Sequence, residues 1–365
     1  MFSEKDLQAL LDFSAKGQVL SVYLNTDPTE TNQEAAKIRM RNLVKNIDLP
    51  DDVEAVTNYV NFEYGWDARG LAIFSDQHEN FFQTYRINLS VPDQAMVADT
   101  PIVRPMVRLA DTFKGWGIIL VDKQGARFFS FNLGELVEME SVSGEEVRQT
   151  KRGGGNAMPG RMGGSGASGN VENTIDRNIK EVIDQAVDFF SRHHIRRIMI
   201  GGTDDNIARF KEELPKSWQS LVVAEFPMSM TASTNDILEK ALQAARSAQT
   251  KQTRNLVEQA VTLAAKGSSG VIGLIDTLNA NHEGRVKTLL VAEDFKQEGY
   301  RCTECGFLTV QELDQCPFCG GSFETIDNAV EMAVQEALTK GADVKVISED
   351  EELAEAGNIA AILRY

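Results

Sequence analysis

The sequence WGIILVDKQGARFFSF at residues 116–131 decides the fold class. It contains two apolar runs, Trp116–Val121 and Ala126–Phe131, joined by the polar turn Asp122–Gly125. Two short apolar runs around a polar, glycine-containing turn are typical of a β-hairpin. A second hairpin arm is predicted at residues 135–140. The middle of the chain therefore begins with antiparallel strands.

Helix and strand patterns alternate after this hairpin. A helix is predicted over Glu172–Phe190, because apolar residues recur there at helical spacing. Strands are predicted at Arg196–Ile200, which ends at Gly201-Gly202, and at Leu221–Phe226. This order predicts a central α/β domain over residues 106–232, and a hairpin followed by a long helix is typical of ribonuclease H-like folds. The helical stripe consists of Ile175, Ile179, Ile183, Val187 and Phe190.

Two further α/β domains are predicted on either side. The first, residues 1–105, ends at a proline-containing boundary, Thr100–Pro105. Its predicted elements are helices Leu7–Phe13 and Gln33–Ile47 and strands Val19–Leu24 and Gly70–Phe74. The third, residues 233–365, has an inserted cysteine segment at 300–321. Its predicted elements are helix Thr234–Lys266, an α/β opening at 273–278 and 288–291, helix Asp327–Thr339 and strand Val344–Ser348.

Composition and charge exclude several functions. A chain of 365 residues with 42% hydrophobic content has room for two or three packed domains. The net charge of −17 argues against a protein that coats nucleic acid through bulk electrostatics. No apolar run approaches the roughly 20 residues that cross a bilayer, and the first residues lack the order of an export signal. We expect a soluble, cytoplasmic protein with no membrane or DNA partner.

Four cysteines form one local site, with the spacing Cys302-x2-Cys305-x10-Cys316-x2-Cys319. Each pair is followed by a glycine, Gly306 or Gly320, which lets backbone amides point at sulfur. Four thiolates complete a tetrahedron with no open position for water, so the spacing predicts a structural zinc site. A redox dithiol is the less favoured alternative, because it needs only one such pair.

The segment KRGGGNAMPGRMGGSGASGN at residues 151–170 has eight glycines, which neither a helix nor a strand absorbs easily. It lacks the Gly-Lys-Ser/Thr of a P-loop, and it is too long for a dinucleotide-binding turn. By composition alone a flexible linker is the favoured interpretation. However, residues 148–171 contain four basic residues and no acid, inside one domain. We therefore predict a mobile loop that binds RNA. Its predicted contacts are Arg148, Lys151, Arg152, Gly153, Gly154, Gly155, Asn156 and Arg161.

The remaining candidates are weaker. His193-His194 is interpreted as a helix-capping pair and Thr203-Asp204-Asp205 as a helix N-cap. The basic helix with Lys37, Arg39, Arg41 and Lys45 is either a solvated face or a second RNA contact. No arrangement for nucleophilic or acid–base catalysis is recognisable from spacing, so we assign no catalytic residue.

Several segments, in order, resemble the archaeal and eukaryotic class I peptide-release factors and their relative Pelota. Gly357-Asn358-Ile359 before Ile362-Leu363-Arg364-Tyr365 is similar to the closing motif of that family, normally Gly-Gly-Ile before a similar Ile-Leu-Arg-Tyr. The cysteine ribbon resembles that of archaeal members, and the glycine-rich segment lies where the family carries its Gly-Gly-Gln loop. The strand at 20–24 with the basic helix resembles the decoding domain. The resemblance implies a three-domain, release-factor-like α/β architecture with a zinc ribbon in the third domain.

Two departures change the function that the resemblance implies. Gly153-Gly154 is followed by Gly155-Asn156, and no glutamine occurs between Lys151 and Asn170, whereas the family uses that glutamine to position water. Ala35-Ala36-Lys37-Ile38 replaces the stop-codon-reading Asn-Ile-Lys-Ser. Bacterial members with these same losses include a ribosome hibernation factor. The resemblance therefore implies a non-enzymatic factor that occupies the ribosomal A site in hibernation or in protection of idle ribosomes.

In this interpretation the basic helix contacts the decoding centre and the glycine-rich loop contacts ribosomal RNA. Residues 301–365 contain 13 acidic and 4 basic residues, and the family implies that this domain contacts a translational GTPase of the elongation-factor type. The main alternative is a peptidyl-tRNA hydrolase that uses the backbone amides of Gly153–Asn156 in release or rescue. A metal-dependent nuclease built around Asp122 is a third alternative, for which the sequence supplies no convincing carboxylate set.

Overall fold

A computed structural model describes residues 4–13, 17–145 and 166–365. The chain divides into two compact units. One unit contains residues 1–111 together with Thr250–Tyr365, and the other contains Thr112–Gln249. The first and third predicted domains thus belong to one unit, and the predicted boundaries at 105 and 232 stay predictions. No helix in the described ranges is long and apolar enough to span a membrane.

The amino-terminal part of the first unit is an antiparallel sheet packed against helices. The strands β1 to β4 have the order β3-β2-β1-β4. Leu20, Val22 and Leu24 of the central strand alternate onto the face that buries Met40 and Val44 of a helix. The elements are α1 (Glu4–Leu11), β1 (Val19–Asn25), α2 (Gln33–Val44), α3 (Pro50–Asn58), a π-helical turn (Tyr59–Glu63), β2 (Gly70–Asp76), a 3-10 turn (Gln77–Glu79), β3 (Phe81–Ile87) and β4 (Gln94–Ala98).

The second unit is a mixed five-stranded sheet in the order β7-β6-β5-β8-β9. The predicted hairpin is confirmed, with Trp116 opposite Phe131 across antiparallel strands. The strands β5, β8 and β9 run parallel. Its elements are α4 (Arg104–Phe113), which begins in the first unit, β5 (Trp116–Val121), β6 (Gly125–Asn132), β7 (Glu135–Ser143), α5 (Gly166–Arg192), β8 (Arg197–Gly202), α6 (Asp204–Glu213), α7 (Lys216–Gln219) and β9 (Val222–Pro227).

Helix α5 packs on this sheet through the stripe that the sequence predicts. Ile175, Ile179, Ile183 and Phe190 are buried in one hydrophobic cluster, and Val187 is partly buried against it. The helix begins at Gly166, so the prediction that residues 166–170 belong to the loop is wrong. Each helical glycine is disfavoured by about 1 kcal/mol, and we attribute the extra turn to the long buried stripe, which stabilises the rest of the helix.

The carboxy-terminal part of the first unit has a second four-stranded sheet in the order β10-β16-β11-β15, with only β11 and β15 parallel. A small three-stranded sheet, β13-β12-β14, is inserted between β11 and α10. The elements are α8 (Thr234–Ala265), which begins in the second unit, β10 (Gly270–Ile272), α9 (Leu274–His282), β11 (Val286–Ala292), β12 (Gly299–Cys302), β13 (Leu308–Thr309), β14 (Phe323–Ile326), α10 (Ala329–Thr339), β15 (Asp343–Ile347), α11 (Glu351–Glu355) and β16 (Ile359–Leu363).

The predicted fold class is confirmed as α/β. Each of the three predicted domains carries one main sheet, and the cysteine ribbon lies within the third. The boundary segment at 100–105 is buried rather than solvated, since Ile102 and Val103 are almost fully covered. Ile102 donates its amide to Ser21 Oγ at 3.0 Å and accepts a hydrogen bond from Tyr23 Oη at 2.7 Å. This segment therefore closes the second face of the first sheet.

Candidate metal centre and RNA interface

The four predicted cysteines converge at the ribbon. Their sulfur atoms all lie within 4.8 Å of one another. Sγ of Cys302 is 3.5 Å from that of Cys319, and Sγ of Cys305 is 3.6 Å from that of Cys316. Cys302 and Cys316 are buried and the other two are exposed. Four sulfur atoms at these separations fit one tetrahedral metal ion.

Two glycines shape the turns that carry these sulfurs. Gly306 and Gly320 both have φ of +76°, a left-handed conformation that glycine adopts without a steric penalty. Their amides close the turns by donating to the carbonyls of Cys302 and Cys316, at 3.0 and 2.8 Å. The amide of Gly321 also points at Cys319 Sγ, at 3.4 Å. The amides of Gly306 and Gly320 themselves thus donate to carbonyls, and the amide that follows Gly320 points at sulfur.

The electrostatics of the cluster favour binding of a cation. Amide groups of Cys305 and Glu304 donate to Cys302 Sγ and lower the pKa of that thiol to about 7, against the opposing effect of burial. Partial desolvation, and then contacts with the thiols of Cys319, Cys316 and Cys302, raise the pKa of the Cys305 thiol, although its side chain is exposed. The two thiols thus shift in opposite directions, and a cation held among the four sulfurs would favour the ionised form of each.

Aromatic packing attaches the ribbon to α9. The buried Phe307 and the half-exposed Phe318 both contact His282, with ring centroids 5.2 and 4.6 Å from the imidazole. Phe307 also contacts Phe323 of the ribbon sheet. The cysteine cluster therefore packs, through Phe307 and Phe318, against His282 at the end of α9.

The predicted RNA-binding loop falls largely outside the described residues. Its predicted contacts Arg148, Lys151, Arg152, Gly153, Gly154, Gly155, Asn156 and Arg161 all lie in the range 146–165, which the structure does not describe. The described flanks are β7, which ends at Ser143, and α5, which begins at Gly166. The segment thus connects a strand to a helix within one unit, as the sequence predicts.

The predicted decoding-centre residues lie on or beside α2, in two environments. The guanidinium group of Arg39 is bound within the protein. Its Nε pairs with Asp93 at 2.5 Å. Its other two nitrogens donate to Thr31 Oγ1 and to the Asn25 carbonyl, at 2.7 Å each. Lys37 pairs with Glu34 at 3.1 Å and lies 5.8 Å from the Trp66 ring. Arg41 and Lys45 are exposed. The side chains most available to a polyanion are therefore Arg41 and Lys45.

Sequence reasoning missed the neighbours of these cations. Asp93, which holds Arg39, lies 54 positions further along the chain, and no local pattern links the two. Phe62, in the π-helical turn, is 82% exposed, and Ile38 beside Lys37 is also exposed. Exposed aromatic side chains suit base stacking, but Phe62 stands among Tyr59, Tyr64 and Trp66, which are covered in the fold, so the sequence does not single it out.

The minor candidates have structural positions. Thr203 Oγ1 accepts from the amide of Asn206 and caps α6, as predicted. His194 has φ of +53° just beyond the end of α5, which confirms that the pair ends a helix. Asp122 Oδ1 accepts from the amides of Gln124 and Gly125 at 2.7 and 2.9 Å and so stabilises the hairpin turn. Among the described residues, the cysteines form the only cluster of metal-binding side chains.

The fold and this site define a multidomain α/β protein with a four-cysteine ribbon in its last third. A family model described as bacterial archaeo-eukaryotic release factor family 10 matches residues 101–246. A second model, described as eRF1 domain 3, matches residues 250–365. Together they cover all but three residues from position 101 onward. The chain belongs to the archaeo-eukaryotic release-factor superfamily, in its bacterial branch.

Individual relatives are distant. The chain is 29% identical over 189 residues to peptide chain release factor subunit 1 of Archaeoglobus fulgidus, and the alignment covers 46% of each protein. The match thus spans about half the length of this relative. Pelota of Archaeoglobus fulgidus is 13% identical, with 99% of this chain and 92% of that chain covered and a TM-score of 0.36. A ribosome-bound archaeal Pelota is 11% identical, with 100% and 94% covered and a TM-score of 0.41.

Proposed function

We propose that this protein binds the ribosome, occupies the A site without releasing the nascent peptide, and acts in hibernation or in protection of idle ribosomes. The observation that carries this proposal is a release-factor-type chain whose glycine-rich segment lacks glutamine. Gly153-Gly154 is followed by Gly155-Asn156. The nearest glutamine, Gln149, precedes the glycines, whereas the family motif has its glutamine after them. Family membership supports a site of action on the ribosome.

The missing amide side chain has an energetic consequence. Removing one preorganised hydrogen-bond donor from an active site commonly lowers the rate by roughly a hundredfold or more. Backbone amides at 153–156 would have to replace that donor for peptidyl-tRNA hydrolysis. We therefore favour a function in ribosome binding over one in peptidyl-tRNA hydrolysis, and we assign no catalytic residue.

The exposed cations of α2 are proposed to contact ribosomal RNA at the decoding centre. Arg41 and Lys45 are exposed, whereas Arg39 serves the internal network with Asp93. Local contacts of this kind are compatible with an acidic chain, because they need only a few phosphates. Arg148, Lys151, Arg152 and Arg161 of the glycine-rich segment are proposed to supply a second group of phosphate contacts, toward the peptidyl-transferase centre.

The third domain is proposed to bind a translational GTPase of the elongation-factor type, as family membership implies. Ile272 and Ile275 are exposed, at 39% and 42%, on β10 and α9. Both side chains line a cleft of about 520 Å³, and Asp276 lines the same cleft. With 13 acidic and 4 basic residues in 301–365, the partner surface is expected to be basic with an apolar centre.

The ribbon is proposed to hold one zinc ion in a structural role. Four sulfur ligands match the preference of zinc for closed tetrahedral sites, and the two buried ones, Cys302 and Cys316, pack with Phe307. When bound, the ion would cross-link the two turns of the ribbon.

Ribosome binding is tested by co-sedimentation of the purified protein at low salt, with salt titration. Arg41→Ala/Lys45→Ala is expected to weaken binding and to reduce the salt slope by about 1 for each lost phosphate contact. Lys251→Ala/Lys266→Ala, which removes the same charge from exposed positions of α8 and its end, is the control. Failure of the parent protein to bind ribosomes would contradict the proposal.

Hydrolysis is tested separately on programmed ribosomes that carry a labelled nascent peptide. We expect no release above the background rate at saturating protein. Release at a useful rate that Gly154→Ala abolishes would instead establish a peptidyl-tRNA hydrolase.

A further inference from the structure

Asn178 lies on α5 and is only 2% exposed. It faces the hairpin turn between β5 and β6 and the residues that follow β7. A buried amide side chain must satisfy its polar atoms within the protein, because an unpaired one is strongly disfavoured. Its partners therefore show what the side chain holds in place.

All three contacts of Asn178 are to backbone. Its Nδ2 donates to the carbonyls of Lys123 and Glu145, at 3.1 and 2.9 Å. Its Oδ1 accepts from the amide of Glu145 at 3.0 Å. The side chain thus uses both donor hydrogens and its oxygen. One amide group joins α5, the hairpin turn and the end of the β7 arm.

Gly144 completes this arrangement. Its amide donates to the carbonyl of Gln124 at 2.6 Å, which ties the same arm to the same turn. A Cβ at position 144 would lie 2.3 Å from Asn178 Oδ1 and 2.6 Å from Cγ. Any larger residue there would displace the amide of Asn178. Glycine is thus required for close approach, and the two residues form one anchor.

Glu145 is the last described residue before the glycine-rich segment. We infer that Asn178 is a positioning residue, which fixes the chain at Glu145 and so sets where the RNA-binding segment leaves the body of the protein. This inference rests on the proposed function. In this inference Asn178 acts through the backbone of Gly144 and Glu145 and makes no contact with RNA itself.

The adjacent Arg177 provides a matched contrast. It pairs with the carboxylate of Glu145, but both side chains are more than half exposed. Exposed ion pairs contribute little to structure, because water screens them and side-chain entropy opposes them. Arg177 and Asn178 therefore both contact Glu145, and only the buried Asn178 is expected to fix the backbone of Glu145.

The test compares Asn178→Leu, Gly144→Ala and Arg177→Ala as full-length proteins. Ribosome complexes are probed with dimethyl sulfate to map protected bases of ribosomal RNA. We expect Asn178→Leu and Gly144→Ala to co-sediment with ribosomes and keep protection at the decoding centre, but to lose protection at the peptidyl-transferase centre. Arg177→Ala is expected to keep both. Full protection by Asn178→Leu would overturn the inference.

Amide hydrogen exchange of the free proteins makes the anchor testable without the ribosome. Exchange at Glu145 is expected to accelerate in Asn178→Leu and Gly144→Ala but not in Arg177→Ala, with the core strands β5 and β6 unchanged. Equal exchange at Glu145 in all proteins would overturn the anchor itself. If the anchor is found but the parent protein protects no ribosomal RNA, the proposed function fails and the anchor remains. If Asn178→Leu does not fold, Gly144→Ala decides the outcome.

Discussion

Asn358 stands where the closing motif of the resembled family has its second glycine. It follows α11 with φ of +63°, directly after Gly357 at φ of +89°. Its amide donates to the carbonyl of Leu353 at 2.8 Å, and its carbonyl accepts from the amide of Ala292. The resembled motif has two glycines here, and asparagine is among the residues that best tolerate the left-handed region. The departure is therefore conservative for the backbone.

Replacing Asn358 tests this explanation. Asn358→Ala is expected to destabilise the protein by about 1 kcal/mol, because alanine fits the left-handed region less well. Asn358→Gly is expected to be neutral or slightly stabilising, and the exposed Glu355→Ala nearby serves as control. Urea unfolding measures all three. An Asn358→Ala protein as stable as the parent would refute the backbone explanation.

A single residue, Asp99, is also expected to make the stability of the protein depend on pH. Partial burial, and then the negative charge of Asp327, raise the pKa of Asp99 above its ordinary value of 3.8. An acid with a raised folded-state pKa opposes folding when ionised, and this opposition fades as the pH falls through that pKa. Asp99→Asn is therefore expected to be more stable than the parent at neutral pH, with the difference narrowing toward acid. A less stable Asp99→Asn in urea unfolding at neutral pH would contradict this.

Residue identity alone did not distinguish the roles of the α2 cations. Lys37, Arg39, Arg41 and Lys45 share one helical stretch, and the sequence predicts the same role for each. Arg39 differs because Asp93 and the Asn25 carbonyl surround it, and these partners come from other parts of the chain. A long-range ion pair leaves no trace in local spacing.

At the scale of elements, local patterns predicted the structure well where one signal was strong. The hairpin β5–β6, the buried stripe of α5 and the cysteine ribbon each follow from spacing within about 20 residues. The strands β3 and β4 were missed. Polar residues interrupt β3, and β4 has only five residues, so neither gives a clear alternation.

One missed element did carry a signal. Helix α3 starts with Pro50 at its first turn, followed by Asp51 and Asp52. Proline and acidic residues are favoured at this end of a helix, because the first amides are unpaired and the dipole is positive there. The start of α3 was therefore predictable from the sequence.

The cysteine ribbon supplies a prediction about an element. The parent protein is expected to contain one zinc ion per chain by metal analysis. Cys316→Ser, which removes a buried ligand, is expected to lose the metal and to make residues 300–321 sensitive to limited proteolysis. The adjacent, exposed Gln315→Ala is expected to keep both properties. A metal-free parent with a protease-resistant ribbon would contradict a structural zinc site.

At the scale of the whole molecule, a buried ion pair joins the first and third predicted domains. Arg104 Nε lies 2.5 Å from Glu331 Oε2, and the amide of Val103 donates to Glu331 Oε1 at 2.9 Å. Lys345 of the third predicted domain pairs with Asp111, the last residue of the first stretch of the same compact unit, at 2.6 Å. The sequence predicts a domain boundary at the segment Thr100–Pro105 because of its prolines. Glu331 lies more than 200 residues from Val103 and Arg104, beyond the reach of any local pattern.

Removing one partner of the buried pair is expected to be severe. Glu331→Ala leaves Arg104 buried without its counter-charge and should destabilise the first unit by about 3–5 kcal/mol. The double variant Arg104→Met/Glu331→Leu should recover most of that loss, because neither charge then remains buried. Urea unfolding monitored on the full chain compares them. A mild effect of Glu331→Ala, below that of the double variant, would show that the pair does not hold the two domains together.

The most direct test of the proposed function is imaging by electron cryo-microscopy of the protein bound to ribosomes that carry peptidyl-tRNA in the P site. We predict this chain in the A site, with α2 at the decoding centre and the nascent peptide still attached to the P-site tRNA. An empty A site, or a P-site tRNA that has lost its peptide, would contradict a factor that binds without releasing.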